Sequence, residues 1–312
     1  MLKTAMLSWL ISLLCAFFAI LVGVPAHAEK VTLRFTPQNG LTFIENDTSN
    51  STQTSTDEKK SLTQQVSTRR RITIHKTAAG YSIDFTTISM TTSRNGGKPH
   101  TASKADLQSA TLTYMLDAKG KLIDVQGLDA AVAARMSKVP PAQQKEFPVA
   151  RYKAYLQMQQ LEEWQSEVGK FIGLTLTIGK TETKDEAATK DSPVSAHMTR
   201  QCTGYVMVNG RNCLRLLDIK RPNPRELATS LNDRFNSHNN QSGKVPPSQV
   251  LSASSLLTEE RLIDPTTCLS LSLKTTQSDT VVAMKSKAGD AHPHKVTVTM
   301  NETETSTFEF TK

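Results

Sequence analysis

The chain has 312 residues, a formal net charge of +8, 38% hydrophobic residues and four cysteines. Its 14 glycines and 13 prolines lie without a period, which excludes a fibrous repeat, and four cysteines are too few for a dense disulfide scaffold. One stretch is long and apolar enough to cross a bilayer, which excludes a multi-span membrane protein, and the length suits one large domain or two smaller ones.

The N-terminus has the pattern of an export signal. Lys3 precedes an almost wholly apolar stretch from Met6 to Val24. The small residues Ala26 and Ala28 fit the shallow pockets of a signal peptidase, so a signal peptide is predicted over residues 1–28, with cleavage after Ala28. An uncleaved membrane anchor is the alternative. We expect a secreted or periplasmic protein in a compartment where disulfides form.

The positive charge is scattered rather than gathered into a site. Arg69-Arg70-Arg71 is the one basic run, and it abuts a strand pattern. Few aromatic residues lie among the basic ones, where they would be needed to stack on bases. The charge therefore indicates a solubilising surface, and no nucleic-acid partner is expected.

The first half of the mature chain, residues 29–180, is predicted to be β-rich. Hairpin turns are expected at Gly80 and Gly120, between runs of alternating apolar residues. The polar stretch Glu45–Thr68 favours a long exposed strand pair over a flexible recognition loop, because threonine favours strands. An alanine-rich short helix is expected over Leu128–Val139.

The main helix is predicted at about residues 147–171. Its apolar residues fall mostly on one face: Leu156, Leu161, Trp164, Val168 and Phe171. We expect that face to pack on a sheet. A helix lying on a membrane surface is the alternative, but the polar face carries Gln and Glu rather than a Lys/Arg stripe.

A charged stretch, Thr181–Ser192, is interpreted as a surface loop or a link to the second β-rich half, residues 193–312. That half opens with a long hairpin around Asn209-Gly210, the strongest two-residue hairpin signal. A short helix with Asn223 as its cap is expected at about residues 224–235, followed by a polar loop over residues 236–247. Further strands are predicted at Leu251–Ile263, Cys268–Thr275, Thr280–Met284, Val296–Met300 and Phe308–Phe310.

Together these elements predict a mainly β protein with α (α+β). We expect a curved antiparallel sheet, or sheets, packed on one long amphipathic helix. Each half has a hairpin, a helix and a strand that ends in aspartate, Asp117 in one and Asp264 in the other. The likeness indicates a tandem repeat or a pseudo-symmetric sheet.

Three cysteines, Cys202, Cys213 and Cys268, would remain after signal cleavage. A two-residue turn at Asn209-Gly210 puts Cys202 opposite Leu217, about 13 Å along the strand from Cys213. That separation exceeds the reach of a disulfide unless a bulge or a longer loop intervenes. The pairing among the three cysteines stays open.

Motifs that carry chemistry are sparse. His292 and His294, with Asp290 nearby, resemble a small metal cluster, but a solvated loop is favoured and no metal site or cofactor is expected. The sequence has no nucleophile elbow, zinc-protease helix, phosphate-binding glycine loop or Cys-x-x-Cys motif. We therefore expect that the protein is not an enzyme.

Three segments carry a family resemblance: Val31–Phe35 with the turn at Asn39-Gly40, then Leu112–Val125, then Thr203–Cys213. In this pattern the chain resembles a family of uncharacterised secreted bacterial β-rich domains. It is also distantly similar to the half-barrel carriers of lipoproteins, in which a curved sheet wraps a helix and cups an acyl chain. The resemblance implies a concave apolar sheet face and brings no catalytic residues.

Two functions from different classes follow. The first is an exported, non-enzymatic binding protein of the periplasm or cell envelope with a lipid-like or peptide ligand. The second is an envelope structural or interaction protein that acts through exposed strand edges. A pocket lined by Tyr114, Leu161, Trp164 and Phe171 would favour the first, whereas a filled core with long unpaired edges would favour the second. The ligand-binding residues and the identity of the ligand or partner stay open.

Overall fold

The computed structural model describes residues 29–57, 61–103, 107, 111–140, 144, 148–189, 192–242, 249–285 and 294–310, with residues 235–242 described for their backbone alone. The predicted signal peptide with Ala26 and Ala28 lies outside these residues, as do Asp290 and His292. The structure has 59% strand against 19% helix, which confirms the predicted mainly β class.

The strands are β1 (Lys30–Thr32), β2 (Leu41–Ser55), β3 (Leu62–Lys76), β4 (Gly80–Arg94), β5 (His100–Thr101), β6 (Leu112–Asp117), β7 (Leu122–Gln126), β8 (Thr175–Thr177), β9 (Thr181–Glu186), β10 (Ala196–Val208), β11 (Arg211–Pro222), β12 (Gln249–Ile263), β13 (Ser270–Lys285) and β14 (His294–Phe310). The helices are α1 (Leu128–Ser137), α2 (Val149–Glu167) and α3 (Pro224–Ser242), and a 3-10 turn spans Gly169–Phe171.

Twelve strands form one antiparallel sheet in the order β7-β6-β4-β3-β2-β14-β13-β12-β11-β10-β9, with β5 paired to β4. The strands of the first half and those of the second meet where β2 pairs with β14. Among the described residues, β7 and β9 end the sheet and do not pair with each other, so the sheet is open. Strands β1 and β8 form a separate two-stranded sheet.

The hairpins with strong turn signals form as predicted. Asn209 and Gly210 both have positive φ, 49° and 76°, which is the backbone of a type I′ turn. Gly80 has a φ of 152°, and a Cβ there would lie 2.3 Å from the carbonyl carbon of Asp117. Only glycine allows β4 and β6 to approach so closely. The polar pair within Glu45–Thr68 is also confirmed as strands, because β2 pairs with β3 along most of its length.

Four parts of the chain differ from the sequence prediction. The predicted strand Val31–Phe35 ends at Thr32, because Leu33 and Arg34 bond to different segments, Leu174 and Pro265. Part of the predicted loop Thr181–Ser192 is strand β9, whose backbone pairs with β10. The four short strands predicted after residue 267 are two long ones, β13 and β14. Helix α3 continues to Ser242, into the predicted loop.

The expectation of one long helix packed along a sheet is wrong. Trp164 is the one buried residue of α2, and Tyr155, Met158 and Leu161 on the same helix are exposed. Two other helices are present, and Asn232 of α3 is hydrogen-bonded through its side chain to the backbone of Val250 on β12. Among the described residues, no helix is both long and apolar enough to span a membrane.

The core forms one cluster to which both halves contribute. Its most buried members include Leu33, Phe35, Phe43, Ile74, Phe171, Leu214 and Ile263. Several of them, such as Leu33, Phe35 and Phe171, come from connecting segments rather than from long strands or helices. These connecting segments contribute to the core that the main helix was predicted to cover.

A turn shared by the two halves supports their likeness. Asp117 Oδ1 accepts a hydrogen bond from the backbone N–H of Lys119, and Asp264 Oδ1 accepts one from that of Thr266, each two residues later. Aspartate side chains commonly stabilise turns in this way. A tandem repeat stays a prediction.

The described cysteines form no disulfide. Cys202, Cys213 and Cys268 are all buried free thiols. A bulge between Cys202 and Gly204 places Cys202 opposite Leu216 rather than the predicted Leu217. Even with this bulge, the described cysteines are not bridged. Burial raises the pKa of Cys213 to about 11 and that of Cys268 to about 12, so both thiols are held in their unreactive neutral form.

Candidate ligand-binding cavity

A cavity of about 620 Å³ lies between helices α1 and α2 and one face of the sheet. Strands β2, β3, β4, β6, β12, β13 and β14 contribute to its wall. The volume lies within the range of small-molecule binding sites, which is about 300–1,000 Å³. Since protein interiors are otherwise densely packed, a space of this size is a candidate binding site.

The polarity of the cavity follows from the alternation of side chains along the strands. On β2, Phe43 and Glu45 share one face, because residues two apart in a strand point the same way. The register puts Arg70 on one side of Glu45 and Phe308 on the other. Glu304 lies four residues before Phe308, on the same face of β14. The wall therefore changes from apolar to charged along the strand direction.

The apolar end has an aromatic wall. The ring of Tyr114 lies 5.9 Å from that of Trp164 and 4.6 Å from that of Phe85, measured between centroids. Trp164 Nε1 donates a hydrogen bond to the carbonyl oxygen of Gly120, and the Tyr114 hydroxyl donates one to Gln160 Oε1. Burial raises the pKa of Tyr114, so its hydroxyl stays a donor. These bonds fix both rings in place.

Glu45 and Arg70 form a buried ion pair in the cavity wall. Glu45 Oε2 and Arg70 Nε lie 2.7 Å apart, and the Glu45 residue is only 8% exposed. Neither atom makes a well-directed hydrogen bond within the described part of the chain. Burial raises the pKa of Glu45 in spite of the opposing attraction of Arg70. The pair thus keeps unused hydrogen-bonding capacity in the wall.

A second ion-pair network joins α2 to the sheet. Arg261 is 1% exposed, and its guanidinium lies 2.5 Å from Glu167 Oε2 and 3.0 Å from Glu259 Oε2. Burial pushes the pKa of Glu259 upward, but Arg261 and Lys170 outweigh it and hold that pKa below its ordinary value. The network ties the C-terminal end of α2 to β12.

The ring of Phe171 lies among three cationic groups. Lys170 Nζ lies 5.1 Å from the ring centroid, and the guanidinium carbons of Arg200 and Arg261 lie 5.3 and 5.6 Å from it. An aromatic face attracts cations at such distances. Phe171 therefore anchors the same network and does not line the cavity.

Two carboxyl groups of the cavity have no ion-pair partner among the described residues, Glu163 and Glu304. Desolvation, reinforced by Asp47, Glu167, Glu302 and Glu45, raises the pKa of Glu304 to about 7. Desolvation also raises the pKa of Glu163, whose residue surface remains partly open to solvent. A neighbouring cation would lower the energy of both groups in their charged form.

Replacing Glu304 by glutamine is expected to stabilise the protein at pH 8 and to leave its stability unchanged near pH 4. Between about pH 4.5 and 7 the folded chain binds more protons than the unfolded chain, so the wild type loses stability as the pH rises. The expected gain at pH 8 is about 1 kcal/mol, since partial exposure screens the repulsion. Urea unfolding of both proteins at the two pH values measures it, and a variant that is less stable at pH 8 contradicts it.

Of the four residues that the sequence predicted for a pocket, two line the cavity. Tyr114 and Trp164 line the cavity, whereas Leu161 is 38% exposed and Phe171 is buried elsewhere. Sequence reasoning missed the charged residues Glu45, Arg70, Glu163, Glu167, Glu259 and Glu304. For two of them the available signal was spacing, since Glu45 stands two positions from Phe43 and Glu304 stands four from Phe308.

His294 is the described histidine of the predicted metal cluster, whereas His292 lies outside the described residues. His294 Nε2 lies 2.9 Å from Asp57 Oδ1 as a surface pair at the start of β14. No group of three or more metal-ligating side chains occurs among the described residues. The cavity is therefore the strongest candidate site.

The sequence of the chain matches no protein-family model and no curated protein.

Proposed function

We propose that the chain is an exported, non-enzymatic binding protein of the periplasm or cell envelope. It holds a lipid-like ligand in the cavity between the sheet and helices α1 and α2. One observation carries the proposal: a cavity of about 620 Å³ with an apolar aromatic end inside an otherwise packed core. Export rests on the predicted signal peptide.

The arrangement of the helices supports ligand entry. Helices α1 and α2 are joined on the surface by the ion pair of Lys153 with Asp129, at 2.6 Å. Both helices line the cavity, yet α2 is buried only at Trp164. A small outward movement of the exposed part of α2 would open the cavity without breaking the sheet. We further propose that the sheet is concave on this face.

A second candidate function uses a free strand edge. Strand β9 covers one edge of β10 only from Ala196 to Gln201. The rest of β10, to Val208, pairs with β11 on its other side and has no strand partner on this edge among the described residues. Tyr205 and Met207 are exposed there. An extended peptide of a partner protein could add to this edge by strand pairing. The ends of the sheet itself, β7 and β9, are short, which favours the cavity over the edge.

The test uses N-phenyl-1-naphthylamine, an uncharged fluorescent probe, and a variant that fills the cavity. Ala131 lines the cavity from α1, so Ala131→Trp is expected to weaken saturable probe binding by at least about tenfold. Ala133→Trp adds the same side chain to the exposed side of the same helix and is the matched control. It is expected to bind the probe as the wild type does.

Two results would contradict the cavity proposal. The first is equal probe binding by all three proteins, which would put the probe elsewhere. The second is the lack of saturable binding by the wild type, which would move the function to the edge of β10. Thermal unfolding of each protein confirms that the variants are folded.

A further inference from the structure

The cavity has an excess of acidic groups. Of the described residues that line it, five are glutamates and Arg70 is the one cationic residue. The glutamates are Glu45, Glu163, Glu167, Glu259 and Glu304. Carboxylates that lose water without gaining a cationic partner are unfavourable, so this lining favours a ligand that carries positive charge.

The protein's own cationic side chains neutralise only part of this excess of acidic groups. Arg70 pairs with Glu45, and Arg261 behind the wall pairs with Glu167 and Glu259. Glu163 receives a single long hydrogen bond from Gln160 Nε2, at 3.4 Å. Glu304 forms no ion pair with another described residue, and it pairs in register with Ser49 and Thr275. Among the described residues, these two carboxylates are left to meet a ligand.

Of the two unpaired carboxylates, Glu163 lies beside the aromatic wall, where Gln160 bridges it to the Tyr114 hydroxyl, and Glu304 lies beyond the wall. Trp164, Tyr114 and Phe85 form the apolar end, and Glu304 lies further along the strands, past Glu45. A ligand that fills both ends must therefore carry an apolar body and a cationic head. The faces of the aromatic rings can add attraction for the cation where it passes them.

We propose that the ligand is a cationic amphiphile with an alkyl or aromatic body and a single ammonium head. This inference rests on the proposed function, because it assigns the ligand class of the same cavity. The apolar body lies against Trp164 and Tyr114, and the ammonium is attracted by the unpaired carboxylates of Glu163 and Glu304. An anionic lipid or a fatty acid is excluded by repulsion from the same carboxylates.

The test compares three amphiphiles that share a twelve-carbon chain: dodecylammonium, dodecanol and dodecanoate. Each displaces N-phenyl-1-naphthylamine from the full chain at pH 8, below its micelle concentration. Dodecylammonium is expected to bind at least about tenfold more tightly than dodecanoate, with dodecanol between them. Equal affinities, or tighter binding of dodecanoate, overturn the proposal.

Charge-neutral variants locate the head group. The double variant Glu163→Gln with Glu304→Gln is expected to bind dodecylammonium about tenfold more weakly and the uncharged probe as before. Glu162→Gln, an exposed neighbour on α2, is the matched control and is expected to change neither affinity. An unchanged dodecylammonium affinity in the double variant overturns the proposal.

The outcomes separate this inference from the proposed function. If the uncharged probe binds in the cavity but the three amphiphiles do not differ, the cavity function stands and the ligand class is wrong. If neither the probe nor any amphiphile binds, both are wrong.

Discussion

Replacing Trp164 by alanine is expected to lower the free energy of unfolding by about 4 kcal/mol. The indole is buried against Phe35 and Tyr114, and its Nε1 donates a hydrogen bond to the carbonyl oxygen of Gly120. Alanine removes the ring contacts, enlarges the cavity and leaves the Gly120 oxygen without its donor. The change is measured by urea unfolding followed by far-UV circular dichroism, because this signal does not depend on the tryptophan that the variant lacks.

Leu161→Ala is the matched control on the same helix. Leu161 lies three residues before Trp164 but is 38% exposed. Its removal is expected to cost less than about 1 kcal/mol. If Leu161→Ala costs as much as Trp164→Ala, helix α2 packs on the sheet along its length and the cavity is not in the place described.

Replacing Arg261 by methionine is expected to lower the free energy of unfolding by about 3 kcal/mol. The guanidinium is buried, and its loss leaves the carboxylates of Glu167 and Glu259 without this cationic partner. Removal of one partner from a buried ion pair costs about 3–5 kcal/mol. The lower figure applies because the side chain of Glu167 is 42% exposed and can be hydrated, and because Lys170 still faces Glu259 at 3.5 Å.

A surface pair on the same sheet provides the control. Arg215 lies 2.9 Å from Glu260, with both side chains largely exposed. Arg215→Met is therefore expected to cost about 0–1 kcal/mol. Addition of Glu259→Gln to Arg261→Met is expected to recover part of the loss, because it removes a stranded charge. A loss for Arg261→Met no larger than that for Arg215→Met would contradict the network described for Arg261.

Elements bounded by strong turn signals could be predicted from the sequence. The hairpins at Gly80 and Asn209-Gly210 are fixed by local backbone geometry, so a few residues are enough to place them. Strands β13 and β14 could not be predicted whole, because Gln277 and Glu302 interrupt the apolar pattern. Their pairing with neighbouring strands, not their own composition, keeps these residues in the sheet.

The charged half of the site could not be predicted because polar residues within a strand usually face solvent. Glu304 and Arg70 would lie on a wet face if the sheet were covered on one side only. The register turns them toward Glu45 instead, and the register that places Glu304 depends on pairs of residues more than 200 positions apart. Tyr114 and Trp164 were predictable because large aromatic residues are usually buried.

Native mass spectrometry of the protein, purified gently from the compartment to which we propose it is exported, tests the central claim most directly. We expect a non-covalent adduct of amphiphile size on the wild type and on Ala133→Trp, lost on denaturation and absent from Ala131→Trp. A bare wild-type chain that also takes up no N-phenyl-1-naphthylamine would contradict the proposal that the cavity holds a ligand.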